Sequence, residues 1–169
     1  MPDAIVKMVR FIDGFNRKVG IFAVFLIFVM LAILLYSSVS KALLLPANWT
    51  LESAQFTMAA YYVLGGAYAM QMGDHVRMDL FYSRWSVKRR ATIDAVTTLC
   101  LIVYLGFMVF GGVSSTTYAI SYGEKSFSSW APYMAPIKII MTFGAIMMLM
   151  QAVSALLKDI AEARGKPIA

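Results

Sequence analysis

Val19 to Ser40 read VGIFAVFLIFVMLAILLYSSVS, a stretch without a single Lys, Arg, Asp or Glu, and its reading decides the fold. A bilayer core needs about 20 predominantly apolar residues per helix, so this run is a full membrane crossing. The apolar region of a cleaved secretory signal spans only about 7 to 15 residues. An uncleaved helix is therefore expected here, although Lys7, Arg10, Arg17 and Lys18 precede the run and the small Ser38 and Ser40 close it. Three more runs share this character: Ser53 to Gly73, Ala95 to Gly123 and Ile139 to Leu157, none with a formal charge inside. The expected fold is an all-α membrane protein of four transmembrane helices, at 19–40, 53–73, 95–117 and 138–157. Residues 1–18, the loop 74–91 and the tail 158–169 form its cytoplasmic parts, all within one small domain over 1–169.

Composition agrees. The 169 residues are 60% hydrophobic and 14% charged, with a mean hydropathy of +0.71, too few polar groups to cover a water-facing surface. Four spans and short connections leave no room for a folded soluble domain, so one compact bundle is expected. Cys100, the single cysteine, lies within the third run and excludes an internal disulfide; a small packing residue is the reading for it.

The basic residues set the orientation. With the N-terminus inside, the cytoplasmic segments hold Lys7, Arg10, Arg17, Lys18, Arg77, Arg84, Lys88, Arg89, Arg90, Lys158, Arg164 and Lys166, leaving only Lys41, Lys125 and Lys138 outside. Lys and Arg are retained on the cytoplasmic side during insertion, so both termini and the central loop are expected there. The net charge of +6 is then a topology signal and an affinity for anionic lipid. No basic face is left over for nucleic acid.

Along the chain, Ile5, Met8, Val9, Ile12 and Phe15 recur at helical spacing and predict a short amphipathic helix on the membrane surface ahead of the first span. In the outer connection Pro46 stops a helix and Trp49 suits the headgroup level. Thr50 is placed to cap the second helix, with Glu52 favoured in its first turn by the helix dipole. Gly65, Ala69 and Gly73 in the second helix, and Gly111, Ser115 and Ala119 in the third, form small-residue stripes. Such stripes permit close helix approach in lipid, within the bundle or against another chain. Tyr61, Tyr62, Tyr68 and Gln71 add hydrogen-bonding groups that need partners there.

The central loop is the most specific segment. Gly73 ends the second helix, Asp74 caps a short interfacial helix, and His75 and Asp79 fall on one face a four-residue step apart, suited to ion-pair bracing. One histidine and no nearby cysteine are too few ligands for a metal site. Nor is there a nucleophile beside an oriented base, so no catalytic residue is assigned and no enzyme is expected.

These segments together carry a resemblance. Trp49-Thr50-Leu51-Glu52 ahead of the second span, Gly73-x-His75-Val76-Arg77-x-Asp79 after it, and Trp130-x-Pro132 to Pro136-x-Lys138 before a last span ending near Gln151 resemble the DctQ-like small membrane subunit of tripartite ATP-independent periplasmic (TRAP) transporters. Met78 stands where that pattern usually has Val or Ile. The resemblance runs from the first span to Asp159. It implies a subunit of a bacterial inner-membrane importer, working with a large membrane subunit and a periplasmic substrate-binding protein on substrates that are mostly organic acids. It further implies that sodium and substrate bind the large subunit, here a separate polypeptide, while the small one enlarges the stationary scaffold and needs no cofactor. Trp49, Glu52, Gly73, His75, Arg77, Asp79, Pro132 and Lys138 would then brace the subunit interface.

Elementary energetics point the same way. Ionisable groups deep in a bilayer cost about 2.5 to 3.5 kcal/mol on insertion scales and mark ion pathways, and the four runs contain none. No repeat of paired broken helices, common in ion-coupled carriers, is visible. A small multidrug exporter would need a membrane-embedded carboxylate, and a haem-bearing anchor would need histidines within the bundle. A tetraspan structural or sensory protein fits the composition but not the motifs.

Overall fold

The structure, a computed structural model, describes residues 3–43, 47–72 and 87–163. Four helices account for nearly all of them: α1 (Asp3–Leu43), α2 (Trp49–Met72), α3 (Val87–Tyr122) and α4 (Ala135–Ala163). Three contain stretches long and apolar enough to cross a membrane, Val6–Leu43 in α1, Val96–Tyr122 in α3 and Ala135–Ala161 in α4.

All four helices run past an expected end, α4 through residue 163 into the expected tail, and α1 and α3 furthest. With 41 residues, α1 is about 60 Å long, roughly twice the hydrocarbon thickness. The amphipathic stretch forms its first turns instead of a separate surface helix, because Asn16, Arg17 and Lys18, between Phe15 and the expected break, include no Gly or Pro, and Gly14 alone is too little to end a helix. Its apolar face divides: Val9 and Ile12 are buried inside the protein, while Met8 and Phe11 are exposed. Similarly, α3 begins at Val87, so the basic run Lys88–Arg90, expected in a loop reaching residue 91, lies on its first turn. Lys and Arg are good helix formers and no Gly or Pro intervenes.

Packing departs from a closed four-helix bundle. α1 lies along α2, α2 against α4, and α4 against α3; α1 touches α4 over a shorter length, and the extensive packing of α3 is with α4 alone. The spatial order is α1, α2, α4, α3, an open row. The central seam joins Ala23, Leu64, Ala67 and Met147, all buried. Glycines set the spacing: a β-carbon at Gly20 would collide with Tyr68, one at Gly144 with Val63, and one at Gly66 would lie 3.1 Å from the Met148 sulfur. At Gly112 it would lie 2.9 Å from the Thr142 hydroxyl oxygen. Without a hydrophobic drive between helices in lipid, such close approach supplies the dispersion energy that holds them.

At the far end of α3, Gly123 takes φ +58° and the Glu124 N–H donates to the Ala119 carbonyl at 3.1 Å, a left-handed cap that turns the chain out of the helix. Residues 124–134 then fold back as a narrow hairpin. Ser126 N–H donates to Pro132 O and Met134 N–H to Glu124 O, each at 2.9 Å. Pro136 sits in the first turn of α4, where its missing N–H costs nothing.

Candidate functional site

The two ends of the helix row carry its polar chemistry. At the end holding the start of α1 and the end of α4, Asp13 and Asn16 project from α1, while Gln151, Ser154 and Lys158 share one face of α4. The Asn16 amide Nδ2–H donates to Gln151 Oε1 at 2.6 Å, and Gln151 Nε2–H donates to Asp13 Oδ1 at 3.1 Å. Ser154 Oγ–H reaches the same carboxylate oxygen at 3.2 Å, and Lys158 Nζ donates to Asp13 Oδ2 at 2.6 Å. Asn16, Gln151 and Ser154 are buried, so three donors converge on one carboxylate whose charge the Lys158 ammonium balances. Within this cluster, Asn16 Oδ1 is left without a donor among the described residues. The cluster adds polar ties to the short α1–α4 contact, which also holds the edge-to-face Phe15–Phe143 pair, centroids 6.4 Å apart.

This clamp is absent from the sequence-based expectations. Its partners lie more than 130 positions apart, yet a signal existed: Gln151, Ser154 and Lys158 at steps of three and four mark one polar face on an otherwise apolar helix. Its oxygen atoms do not by themselves make a cation site, since Lys158 already occupies the place of a counter-ion. Among the described residues no three His, Cys, Asp or Glu side chains come together as metal ligands.

At the opposite end, Trp49 is the first residue of α2 and its ring packs on Tyr36 of α1, centroids 5.5 Å apart. Thr50 stands inside the first turn instead of at the cap position. Its hydroxyl lies 2.9 Å from the Ala47 carbonyl and 3.0 Å from the Ser37 hydroxyl, stapling α2 to α1. Glu52 is 9% exposed; Ser126 Oγ–H donates to its Oε1 at 3.3 Å, and its Oε2 has no partner among the described residues. Lys138, in the first turn of α4, pairs with Glu124, and Lys125 Nζ sits 4.8 Å from the centre of the Tyr133 ring. Trp49, Glu52, Pro132 and Lys138, far apart in sequence, thus gather at one end.

The remaining expected site residues divide. Gly73, His75, Arg77 and Asp79, with the expected interfacial helix, lie outside the described residues. A β-carbon at Gly65 or Gly111 would meet nothing within 4 Å, and Ala69 is half-buried. Gly111 and Ser115 are exposed and face an open groove of about 700 Å³ between α2 and α3, walled by Tyr62, Leu105 and Met148, with Lys138 also in its lining. Ala119 is fully buried. Cys100, expected to pack, is exposed.

Long apolar helices and polar contacts spent on joining helices define a helical membrane protein of the multi-span class. The chain belongs to the DctQ component family of the tripartite ATP-independent periplasmic transporters, whose pattern it matches over residues 30–162. It is therefore a small component of a multi-pass inner-membrane transport system, and that family is not one of enzymes. Neither the curated proteins nor the solved structures include a match to it.

Proposed function

We propose that this chain is the stationary small subunit of a sodium-coupled, binding-protein-dependent importer of organic acids. In this reading it braces the large membrane subunit and carries no substrate itself. The observation that carries it is the Asp13–Asn16–Gln151–Ser154–Lys158 clamp: the carboxylate, ammonium and amides at that end of the row hold helices together and are charge-balanced within the chain. A carrier would need such groups free to exchange partners with an ion or substrate. Sodium and substrate are then bound by the large subunit, while the periplasmic binding protein delivers cargo to the pair.

The full architecture in this proposal has four spans with both termini and the 74–91 loop cytoplasmic. α2 (Trp49–Met72) is the fourth. Flanked by α1 and α4, it is shielded from lipid on two sides and so tolerates Tyr61, Tyr68 and Gln71. The Gly111–Ser115 flank of the open groove leaves room for a partner helix, and the His75–Asp79 segment braces the same partner at the cytoplasmic edge.

Co-purification tests this reading. The chain produced with a large TRAP membrane subunit from the same genome should copurify as a stable complex. An Arg77→Ala/Asp79→Ala variant should reduce the yield of that complex and the uptake it supports. Wild-type chain that never copurifies with such a protein would favour instead a tetraspan structural or sensory role.

A further inference from the structure

The hairpin between α3 and α4, together with the last turn of α3, displays a cluster of exposed aromatic side chains, of which Tyr133 contacts only Lys125 and Tyr122 only Tyr118 among the ring contacts of the described residues. Phe127 is fully exposed, and Trp130, Tyr133 and Tyr122 are 45%, 59% and 75% exposed. The display is rigid. Two backbone bonds close the hairpin, Ser128 accepts from Ala131 N–H through both its carbonyl and its hydroxyl, and the Glu124–Lys138 ion pair locks the base. Ala131 is held at φ +46°, a conformation costing roughly 1 to 2 kcal/mol for a residue with a β-carbon, and directly before a proline, where extended backbone is preferred. Backbone strain persists where the surroundings over-determine it.

Position and composition select the partner. Lys138 begins the apolar stretch of α4, and Glu124 pairs with it, so the hairpin base lies at the membrane boundary. From Ser126 to Ile137 there is no charged residue, and Lys125 and Lys138 bracket this segment. An uncharged aromatic tip between two lysines matches the headgroup layer, where Trp and Tyr half-bury and lysines reach phosphates. On α3 the exposed Val96, Leu99, Val103, Phe107, Phe110 and Tyr118 lie within about 100° of arc at 100° per residue, opposite the buried Leu105 and Ala119. Beyond Phe110 the same arc also carries Ser114, Thr117 and Ser121, all exposed, so the apolar face gives way to small hydroxyls over the last turns before the hairpin.

We propose that the 126–134 hairpin inserts Phe127 and Trp130 into the outer leaflet at the headgroup level, a lipid anchor that fixes the height and rotation of the α3–α4 pair. It anchors the part of the row with the least support, since α3 packs extensively only on α4.

The chain has three tryptophans, Trp49, Trp85 and Trp130, so a Trp49→Phe/Trp85→Phe variant isolates the reporter. In vesicles of bromine-labelled phosphatidylcholine, Trp130 emission should be quenched at least about twofold more by bromines near the headgroup end of the chain than by bromines near its terminus. Aqueous iodide should quench it weakly. As an independent probe, a Cys100→Ser/Phe127→Cys chain carrying a polarity-sensitive fluorophore should emit as in an apolar medium in vesicles. Iodide quenching of Trp130 with no bromolipid effect and a water-like signal at residue 127 would overturn the proposal. So would bromolipid quenching that disappears in the assembled complex, since the tip would then be a protein-docking element.

Discussion

Gln151 is the side chain on which the clamp turns, because it accepts from Asn16 and donates to Asp13. Gln151→Leu conserves approximate volume but removes both bonds. Interhelical hydrogen bonds in membrane proteins average about 0.6 kcal/mol and reach about 1.7, so two bonds contribute about 1 to 3 kcal/mol. The buried Asn16 amide, already without a donor at Oδ1, would lose its remaining partner, a further cost of about 1 to 3 kcal/mol. With overlap between the two terms, a loss of about 2 to 4 kcal/mol is expected. The discriminating assay is a double-mutant cycle of Asn16→Leu and Gln151→Leu, measured by SDS titration in mixed micelles with tryptophan fluorescence as the readout. Replacing both partners by apolar groups removes the orphaned amide, so the double variant should be at least about 1 kcal/mol more stable than the sum of the single losses implies. Additive effects, or single losses below about 0.5 kcal/mol, would refute the reasoning.

Within the same cluster, Asp13→Ala should destabilise more than Lys158→Ala in that assay, because Asp13 receives three side-chain donors and half-exposed Lys158 gives one; the reverse order would show that the ion pair dominates. Gly144→Ala should cost about 1 to 3 kcal/mol by forcing the Val63 backbone aside, whereas Gly111→Ala should change the isolated chain by less than about 0.5 kcal/mol. Equal effects would contradict the helix order. For orientation, a cysteine at the exposed Ser129 in a Cys100→Ser background should react with a membrane-impermeant maleimide in intact cells, and one at Ala169 only after lysis.

The helices and the family were legible in the sequence because charge-free runs of about 20 residues have few alternatives to spanning a bilayer. Trp49, Glu52, Pro132 and Lys138 were flagged as motif residues, and their gathering at one end follows from alternating helix direction. The open row was not legible. A helix wheel shows that the face of α3 carrying Leu105 and Ala119 is buried but not by which neighbour, and α4 is as apolar as α2. The continuity of α1 was missed because an amphipathic face reads the same whether it meets headgroups or another helix; Val9 and Ile12 turn inward because Asp13 and Asn16 on the same side find partners on α4. The Asp13 clamp was hidden by sequence distance, and a lone Asn or Gln near a span end reads as ordinary interfacial polarity.

Sodium flux tests the central claim most directly. The purified chain alone, reconstituted in liposomes under an inward sodium gradient, should pass radioactive sodium no faster than protein-free vesicles. Vesicles that also hold the large membrane subunit, with the binding protein and its substrate outside, should take sodium up. Sodium entry through this chain by itself would contradict the account, because it would show that the clamped helices open a conduction path of their own.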